Sequence, residues 1–475
     1  MPKKSKVIPR LKPVPYTIAD LEVPLRQPQL VPVATTPTGS VQLYSTPDLP
    51  NNKRGFKYVA CRPNPYFSST LYSTTDTPPY GVHWSYYDRS PEMYVDTNMT
   101  IAGTQEGEGW RSTRANVAIR EGKWYVEYRI VSGIDTVDDG NAEEESMGIN
   151  GAAEDHQSRS VTPMPRVRDN LQRGMLESHV RIGLARREAA LEAPVGFDGY
   201  GYGIRDIGCE KIHLSKRGKI GNDCVDLKVG DVIGLLIELP PIEVQKEISK
   251  RMILQKTLTD PVDTELIMDD QMKSLFVEKG VEREMIPIKY KGEMFFEEFE
   301  YTGSKAMEHL LNPVKVFGER AVPDEEKFQP AKLPSSSIKL YVNGEYRGEP
   351  FSGLYMFLPP ASEQRMARKE TKKKQQEEKF IVDNDDGSLG YYPMVSCFRG
   401  GAVEINKDNK PWRLPETLAG ELEAGTVRMY GDRSNQSVVE EFVYDLLDNT
   451  VNTYLDSRER EQATSYAAAT ASAYT

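Results

Sequence analysis

The chain has 475 residues and a net charge of -11, which argues against a protein that binds nucleic acid phosphates over its whole surface. Hydrophobic residues make up only 38% of the sequence, so part of it is expected to be loop or insertion rather than core. No apolar run approaches the roughly 20 residues that span a bilayer, and we therefore expect no membrane partner. The four cysteines lack C-x-x-C spacing, which predicts reduced thiols: Cys61, Cys209, Cys224 and Cys397.

The N-terminal region, residues 1–80, is rich in Pro and Thr and lacks a sustained hydrophobic period. This composition predicts an extended arm. Residues 54–67 mix aromatic residues with prolines, so this part of the arm could pack on the core.

The region 81–430 has the pattern of β-strands. Apolar and polar residues alternate over 124–131, and the apolar run 232–239 ends at two prolines. The Asn343-Gly344 pair predicts a tight hairpin, and 391–405 reads as two strands around a Gly-Gly turn. Since no long helical pattern separates these strands, we expect an all-β protein of antiparallel sheets packed as a sandwich.

Three stretches interrupt the strand pattern and are interpreted as insertions at strand connections. Residues 134–177 are acidic and then basic, whereas 242–284 contain apolar residues at helical spacing. Residues 361–380 are charged throughout, and their basic run, 368–379, is interpreted as a solvated loop. A weak contact of this run with DNA phosphates stays open.

The C-terminal segment changes to a helical period. Over 437–457 the apolar residues recur every three or four positions, which predicts an amphipathic helix. Ser437 and Glu440 have the spacing of a capping box at its start. The Ala/Ser/Thr/Tyr-rich segment 458–475 is expected to be a disordered tail.

Motifs of catalysis are lacking. The five histidines are scattered, and none accompanies a serine or cysteine in a known nucleophile motif. The Gly-rich run 199–203 is not followed by a helical pattern, as a dinucleotide-binding loop would require. We therefore expect a protein that is not an enzyme and that holds neither a cofactor nor a metal ion.

A set of short motifs resembles, in its order along the chain, the SPRY domain of the Ash-two/Bre-two (Ash2/Bre2) family. The Ala-Pro-x-Gly-Phe-Asp run ending at Asp198, followed seven residues later by Arg205, narrows the resemblance to this family. It covers about residues 54–455 apart from the insertions, and it implies a SPRY-type β-sandwich. The motifs are Gly109–Arg114, Glu121–Glu127, Arg181–Leu184, Glu192–Asp198, Gly201–Arg205, Gly230–Gly234 and Gly390–Ser396.

The resemblance implies a non-catalytic scaffold subunit of the nuclear COMPASS complex, which methylates lysine-4 of histone H3. Such a subunit joins a WD-repeat subunit and a Dpy-thirty-type dimer to the catalytic SET-domain subunit. The chain is similar to the shorter, budding-yeast-type members of the family. The alternative is a SPRY module that recognises substrates for a ubiquitin ligase, although the sequence shows no RING, SOCS-box or LisH segment.

The family's pocket for an acidic segment of the WD-repeat subunit maps onto five positions. Two of them are usually Tyr in the family, and here they are Trp110 and Phe197. Arginines beside aromatic rings suit carboxylates, because a guanidinium group can bind them with two hydrogen bonds. Pairing of the two arginines with Asp198 or Asp206 is the alternative. The five positions are Trp110, Arg181, Pro194, Phe197 and Arg205.

Residues 438–447 resemble the family's binding helix for the Dpy-thirty-type dimer. The spacing of its apolar residues predicts one stripe that faces the partner. The alternative is that this stripe docks on the chain's own domain. The stripe consists of Val443, Leu446, Leu447 and Val451.

Overall fold

The computed structural model describes most of the chain, with gaps at the N-terminus and in the insertions. The predicted insertion 361–380 lies outside the described residues, as do most of 134–177 and the greater part of 242–284. The described ranges are 15–22, 27–37, 39–50, 56–68, 70–134, 177–221, 224–257, 281, 283, 286–311, 329–358 and 385–473.

Strands dominate the described part of the chain. In chain order they are β1 (Val31–Thr35), β2 (Gln42–Ser45), β3 (Phe56–Pro63), β4 (Tyr72–Thr74), β5 (Trp84–Arg89), β6 (Tyr94–Val95), β7 (Ile101–Gly103), β8 (Arg111–Ala115), β9 (Gly122–Ser132), β10 (His179–Ala185), β11 (Gly201–Arg205), β12 (Lys211–His213), β13 (Lys216–Gly218), β14 (Val232–Leu239), β15 (Pro287–Tyr290), β16 (Glu293–Phe299), β17 (Ser337–Val342), β18 (Glu345–Ser352), β19 (Tyr392–Phe398), β20 (Ala402–Ile405) and β21 (Arg428–Met429).

Two large sheets form the sandwich. The ten-stranded sheet has the order β1-β2-β6-β7-β20-β9-β14-β17-β18, with β21 beside β9. The seven-stranded sheet has the order β13-β12-β11-β10-β19-β8-β5. Within these sheets the short β21 pairs in parallel with β9, and the other pairs described are antiparallel. The prediction of an antiparallel β-sandwich is confirmed.

The core lies between the two sheets and follows from the alternation along their strands. On β9 the even-numbered residues Trp124 to Ile130 point inward, because successive side chains in a strand face opposite sides of the sheet. They meet side chains such as Ile182 of β10 and Val395 of β19. Tyr125 points outward instead and packs in a smaller cluster under the segment that precedes the C-terminal helix.

The β17–β18 hairpin forms where the Asn-Gly pair predicted it. Asn343 and Gly344 have φ values of 54° and 87°, a combination that suits a tight turn between twisted strands. The strand and turn predictions for 232–239 and 391–405 are likewise confirmed by β14, β19 and β20. The Gly-rich run 199–203 leads into β11, a sheet strand rather than the turn before a helix.

The N-terminal region is not simply an extended arm. Strands β1 and β2 extend the ten-stranded sheet, while β3 and β4 join β15 and β16 in a third sheet of four strands, in the order β15-β16-β3-β4. The ion pair between buried Lys57 on β3 and Glu298 on β16, with 3.0 Å between Nζ and Oε2, ties this accessory sheet together. The sheet joins segments more than two hundred residues apart, which local patterns do not reveal.

Helices are few in the described part of the chain. The C-terminal helix starts before Ser437, so Ser437 lies inside it rather than at its cap, and it continues through most of the predicted disordered tail. Alanine is the strongest helix former, which favours this continuation. The helices are α1 (Ile18–Leu21), α2 (Ile242–Thr257), α3 (Lys305–Leu311), α4 (Ala419–Glu423) and α5 (Arg433–Ala473).

The cysteines differ from the expectation of four reduced thiols. Cys209 and Cys224 form a disulfide across a separation of 15 residues, and Cys61 and Cys397 are free and buried. Burial in apolar surroundings raises the pKa of both free thiols. The sequence did not reveal this disulfide, because the bond requires the loop after β11 to fold back so that Cys224 meets Cys209.

Candidate protein-binding site

The strand register places Arg181 and Arg205 directly opposite each other. Arg181 on β10 pairs with Arg205 on β11 and, on its other side, with Ser396 on β19. Its neighbours Val180 and Ile182 belong to the core, so the two arginines point to the outer face of the seven-stranded sheet. Two guanidinium groups side by side repel each other unless an anion lies between them.

Aromatic rings surround this arginine pair. The guanidinium carbon of Arg181 lies 4.7 Å from the centre of the Trp110 ring, a cation–π contact that orients the arginine. The Trp110 ring is 5.3 Å from the ring of Phe398, which in turn stacks on His179 at 6.2 Å. These groups enclose a cavity of about 200 Å³, lined by Trp110, His179, Arg181, Arg205, Asp206, Ile207 and Phe398.

The charge of Arg181 is compensated only in part within the described part of the chain, by the nearby carboxylate of Asp206. The Nε of Arg181 is buried and has no hydrogen-bond partner there, and no described carboxylate forms an ion pair with this arginine. Burial, together with the nearby guanidinium of Arg205, lowers the pKa of Arg181 to about 10. A carboxylate entering the cavity would relieve both effects, because it would supply the missing acceptor and a further negative charge.

The alternative pairings with Asp198 and Asp206 are not the ones that form. Arg205 pairs with Glu210. Asp206 accepts a hydrogen bond from the backbone of Val180 at 2.9 Å, and its carboxylate lies 3.0 Å from Nδ1 of His179. Asp198 accepts from the backbone of Tyr200 at 2.9 Å. Neither aspartate forms an ion pair with Arg181, although the negative charge of Asp206 lies close enough to favour the charged guanidinium.

Pro194 and Phe197 lie on the loop that follows β10 and crosses the same outer face. The backbone of Val195 in this loop donates to the Ser396 hydroxyl at 2.8 Å. The sheet must carry glycine below the loop, because a Cβ atom at Gly203 would lie 2.7 Å from the carbonyl oxygen of Val195. Phe197 is 43% exposed, and its carbonyl accepts a hydrogen bond from the hydroxyl of Ser215 at 2.8 Å.

The structure thus brings three of the five predicted residues into one cavity: Trp110, Arg181 and Arg205. Pro194 and Phe197 do not line that cavity but border the same face of the sheet. His179, Ile207 and Phe398 were missed from the sequence, and Asp206 was named there only as an alternative partner of the two arginines. Alternation along β10 could have indicated His179, whereas Phe398 depends on the pairing of β19 with β10, which no local pattern reveals.

The C-terminal helix α5 docks on the rest of the chain through charged side chains. The guanidinium of Arg283 contacts three carboxylates of α5: Nη2 lies 2.8 Å from Asp445, Nη1 2.9 Å from Glu441, and Nε 2.9 Å from Asp448. The Tyr444 ring packs beside the same guanidinium, whose carbon lies 5.5 Å from the centre of that ring. The inward side of the first half of α5 is therefore largely polar.

The apolar side of α5 faces outward, but it is not the predicted stripe. Val443 and Leu446 are 44% and 48% exposed, as predicted, and Leu447 is half-buried. Val451 is only 6% exposed and packs inward, so it does not belong to an open face. Eight residues advance about 80° beyond two full rotations of a helix, which moves Val451 toward the domain. Three further exposed residues lie on the outward face and were not part of the predicted stripe: Val438, Val439 and Phe442.

Within the described residues, no group of three or more His, Cys, Asp or Glu side chains is arranged to hold a metal ion. None of the described helices is both long and apolar enough to cross a membrane. Chemically, the arginine site can accept a carboxylate, because guanidinium groups bind carboxylates with two hydrogen bonds.

Known proteins resemble this chain over most of its length, although no family model matches it. The COMPASS component cclA of Colletotrichum higginsianum is 34% identical over 442 residues, covering 86% of this chain and 69% of cclA. The COMPASS component BRE2 of Saccharomyces cerevisiae is 30% identical, covering 86% of this chain and 89% of BRE2. The Set1 complex component ash2 of Schizosaccharomyces pombe is 29% identical over 94% of this chain, which spans only 53% of that protein.

A crystal structure of a human SPRY domain also matches, with 11% identity and a TM-score of 0.27 over 67% of this chain and 98% of that domain. So low a score carries no argument, and the fold assignment rests on the strand topology. The relatives cclA of Colletotrichum higginsianum and BRE2 are each at least 30% identical to this chain, which covers at least two thirds of their length. These two matches establish the family. The chain belongs to the Ash2/Bre2 family of COMPASS components.

Proposed function

We propose that the chain is a non-catalytic scaffold subunit of a nuclear complex that methylates lysine-4 of histone H3. In this proposal it joins a WD-repeat subunit and a dimeric helical subunit of the Dpy-thirty type to the catalytic SET-domain subunit. The observation that carries the proposal is the pair of opposed arginines, one of which has a buried Nε without a hydrogen-bond acceptor in the described residues. Relatives named as COMPASS or Set1 complex components support the assignment to this assembly.

The arginine cavity is the proposed site for an acidic segment of the WD-repeat subunit. The Trp110 ring covers one side of the Arg181 guanidinium and leaves its N–H groups to bind a carboxylate. Because Arg181 is half-buried, a charge-assisted hydrogen bond there is screened less by salt than one on an open surface. Phe197, exposed on the neighbouring loop, extends the site as an apolar contact.

The outward face of α5 is the proposed site for the dimeric helical subunit. Five of its apolar side chains are more than two-fifths exposed although the helix is held on the domain by Arg283: Val438, Val439, Phe442, Val443 and Leu446. Contiguous apolar surface of this kind marks an interaction site. A groove between helices of the partner would bury it, as amphipathic helices are commonly recognised.

The scaffold would raise methyltransferase activity by holding the SET-domain subunit in its productive conformation, a shift of population rather than a contribution of reacting groups. A substrate-recognition module for a ubiquitin ligase was the alternative. The relatives described above are components of COMPASS and Set1 complexes by name and give that alternative no support.

Calorimetric titration with a peptide of the acidic WD-repeat segment tests the pocket. Arg181→Ala and Arg205→Ala should each weaken binding by about 2–5 kcal/mol, since each removes a charge-assisted contact. Arg428→Ala is the matched control, because Arg428 also lies over a tryptophan ring, that of Trp124 at 4.1 Å, but on the other sheet. Unchanged affinity in both pocket variants, with circular dichroism showing an intact fold, would remove the assignment.

A further inference from the structure

The loop between β3 and β4 lies against the outward face of α5. The ring centre of Phe67 is 5.8 Å from that of Phe442, with the planes tilted by 37°. The backbone N–H of Ser68 donates to the side-chain oxygen of Asn449 at 3.4 Å. Tyr66, next to Phe67, is 84% exposed, the largest exposed fraction among the large apolar and aromatic side chains of the described chain. We call residues 64–68 the aromatic loop.

The aromatic loop is ordered by its own hydrogen bonds rather than by the contact with α5 alone. The Asn64 side chain accepts from the backbone of Tyr66 at 3.0 Å and donates to the Ser73 hydroxyl at 2.7 Å. The carbonyl of Asn64 accepts from the hydroxyl of Tyr16 at 2.7 Å. The backbone of Tyr66 is therefore held in place at the surface, which lowers the backbone entropy that a partner must remove on binding.

The exposed positions of α5 near the aromatic loop carry no charge, and the side chains of Glu440 and Glu441 beside them are 30% and 36% exposed. Over residues 435–453 the exposed side chains are those of Asn, Val, Phe, Leu and Thr residues. This stretch of 19 residues is about 28 Å long at the helical rise of 1.5 Å per residue. Nucleic acid would require basic side chains, which these exposed positions lack. The surface suits an apolar groove of comparable length.

We propose that the aromatic loop forms a second wall of the surface that α5 presents to the dimeric helical subunit, with Tyr66 and Phe67 as its contact residues. This inference rests on the proposed function, which assigns α5 to that partner. Phe67 continues the apolar face through Phe442, and Tyr66 stands beside it. A helical bundle seated on α5 therefore meets the N-terminal region as well as the helix. The N-terminal region thus contributes to partner choice.

The test measures binding of the full-length chain to the recombinant dimeric subunit by calorimetry. Tyr66→Ala should weaken binding about tenfold, and the Tyr66→Ala, Phe67→Ala double variant further, since exposed aromatic side chains commonly dominate interface affinity. The melting temperature of the Tyr66→Ala variant should not change, because the side chain is exposed. Tyr346→Ala on the β17–β18 hairpin, where Tyr346 is 50% exposed, serves as the matched control and should bind as the unaltered chain does.

A third variant separates the inference from the proposed function. Val443→Glu places a charge in the middle of the α5 face and should abolish binding if α5 is the docking helix. Loss of binding in Val443→Glu with full affinity in both aromatic-loop variants would overturn the inference and leave the proposed function standing. Full affinity in Val443→Glu would overturn both. Light scattering that shows a dimer of this chain alone, dissociated by Tyr66→Ala, would assign the surface to a second copy and also overturn the inference.

Discussion

Arg283 and Asp445 form a buried ion pair, with 2.8 Å between Nη2 and Oδ1 and each side chain only 5% exposed. The pair joins the end of the second insertion to the C-terminal helix. Its consequence is that α5 turns its charged side to the domain and its apolar side to the solvent. The orientation of the proposed docking face is therefore decided by an arginine about 160 residues earlier in the chain.

Replacing this arginine should release the helix. Arg283→Ala leaves Glu441, Asp445 and Asp448 without their common partner, and we expect a loss of about 3–5 kcal/mol in the free energy of unfolding. Hydrogen exchange measured by mass spectrometry should show faster exchange in α5 than in the strands. Arg251→Ala is the control, because its ion pair with Glu247 is exposed and contributes little. Equal protection of α5 in both variants would contradict this account.

The Trp110 ring should contribute to the arginine site through its face rather than through its indole nitrogen. Trp110→Ala is expected to weaken binding of the acidic segment by about threefold to thirtyfold, the range of a partly buried cation–π contact. Trp110→Tyr keeps an aromatic face over Arg181 and should bind nearly as the unaltered chain does. Trp412→Ala, which removes the ring below Arg129 on the other sheet, should have no effect on calorimetric affinity.

The strands and the tight hairpin could be predicted because their determinants are local. Alternation along β9 and the Asn343-Gly344 turn each depend on a few neighbouring residues. The accessory sheet could not be predicted, since β3 and β16 lie far apart in the chain and neither reveals its partner. The same holds for Phe398, which enters the arginine site through the pairing of β19 with β10.

The C-terminal segment was correctly predicted to be an amphipathic helix. The predicted bounds of the helix were wrong, and so was the placement of Val451 on its outward face. The spacing of apolar residues in 437–457 defines which side chains share a side of the helix, but not which side meets the domain. That choice is made by Arg283 and places Val451 inward. The tail after 457 was predicted to be disordered from its low complexity, although its alanines favour helix.

A buried histidine predicts a pH dependence of stability. Burial lowers the pKa of His83 to about 4 despite its hydrogen bond to the carbonyl of Gly81 at 2.9 Å. The unfolded chain binds a proton near pH 6.5 and the folded chain does not, so stability is lost as the pH falls from about 6.5 to about 4. The full contribution is about 3 kcal/mol from the size of this shift.

The titration of Asp76 opposes that of His83. The contribution of His83 to the pH dependence of stability is therefore measured in a variant without the Asp76 carboxylate. The carboxylate of Asp76 lies 4.0 Å from Nε2 of His83, and partial desolvation of the Asp76 side chain, which is still 44% exposed, raises its pKa to about 6. Since the fold favours neutral Asp76, acidification through that range adds stability. We therefore expect Asp76→Asn to lose stability more steeply than the unaltered chain between pH 6.5 and 4.5. Adding His83→Gln should flatten the curve in urea unfolding at three pH values, and parallel curves would contradict the assignment.

The two sides of α5 can be told apart by one substitution on each. Leu446→Glu places a charge on the outward face, where the side chain is 48% exposed, and should abolish binding of the dimeric subunit without changing the melting temperature. Val451→Glu buries the same charge against the domain and should lower the melting temperature, because a buried carboxylate without a partner is costly. Both variants should still bind the acidic WD-repeat segment, since the arginine site lies on the outer face of the seven-stranded sheet. If Leu446→Glu instead lowered the melting temperature and retained the dimeric subunit, the apolar side of α5 would belong to the domain and not to a partner.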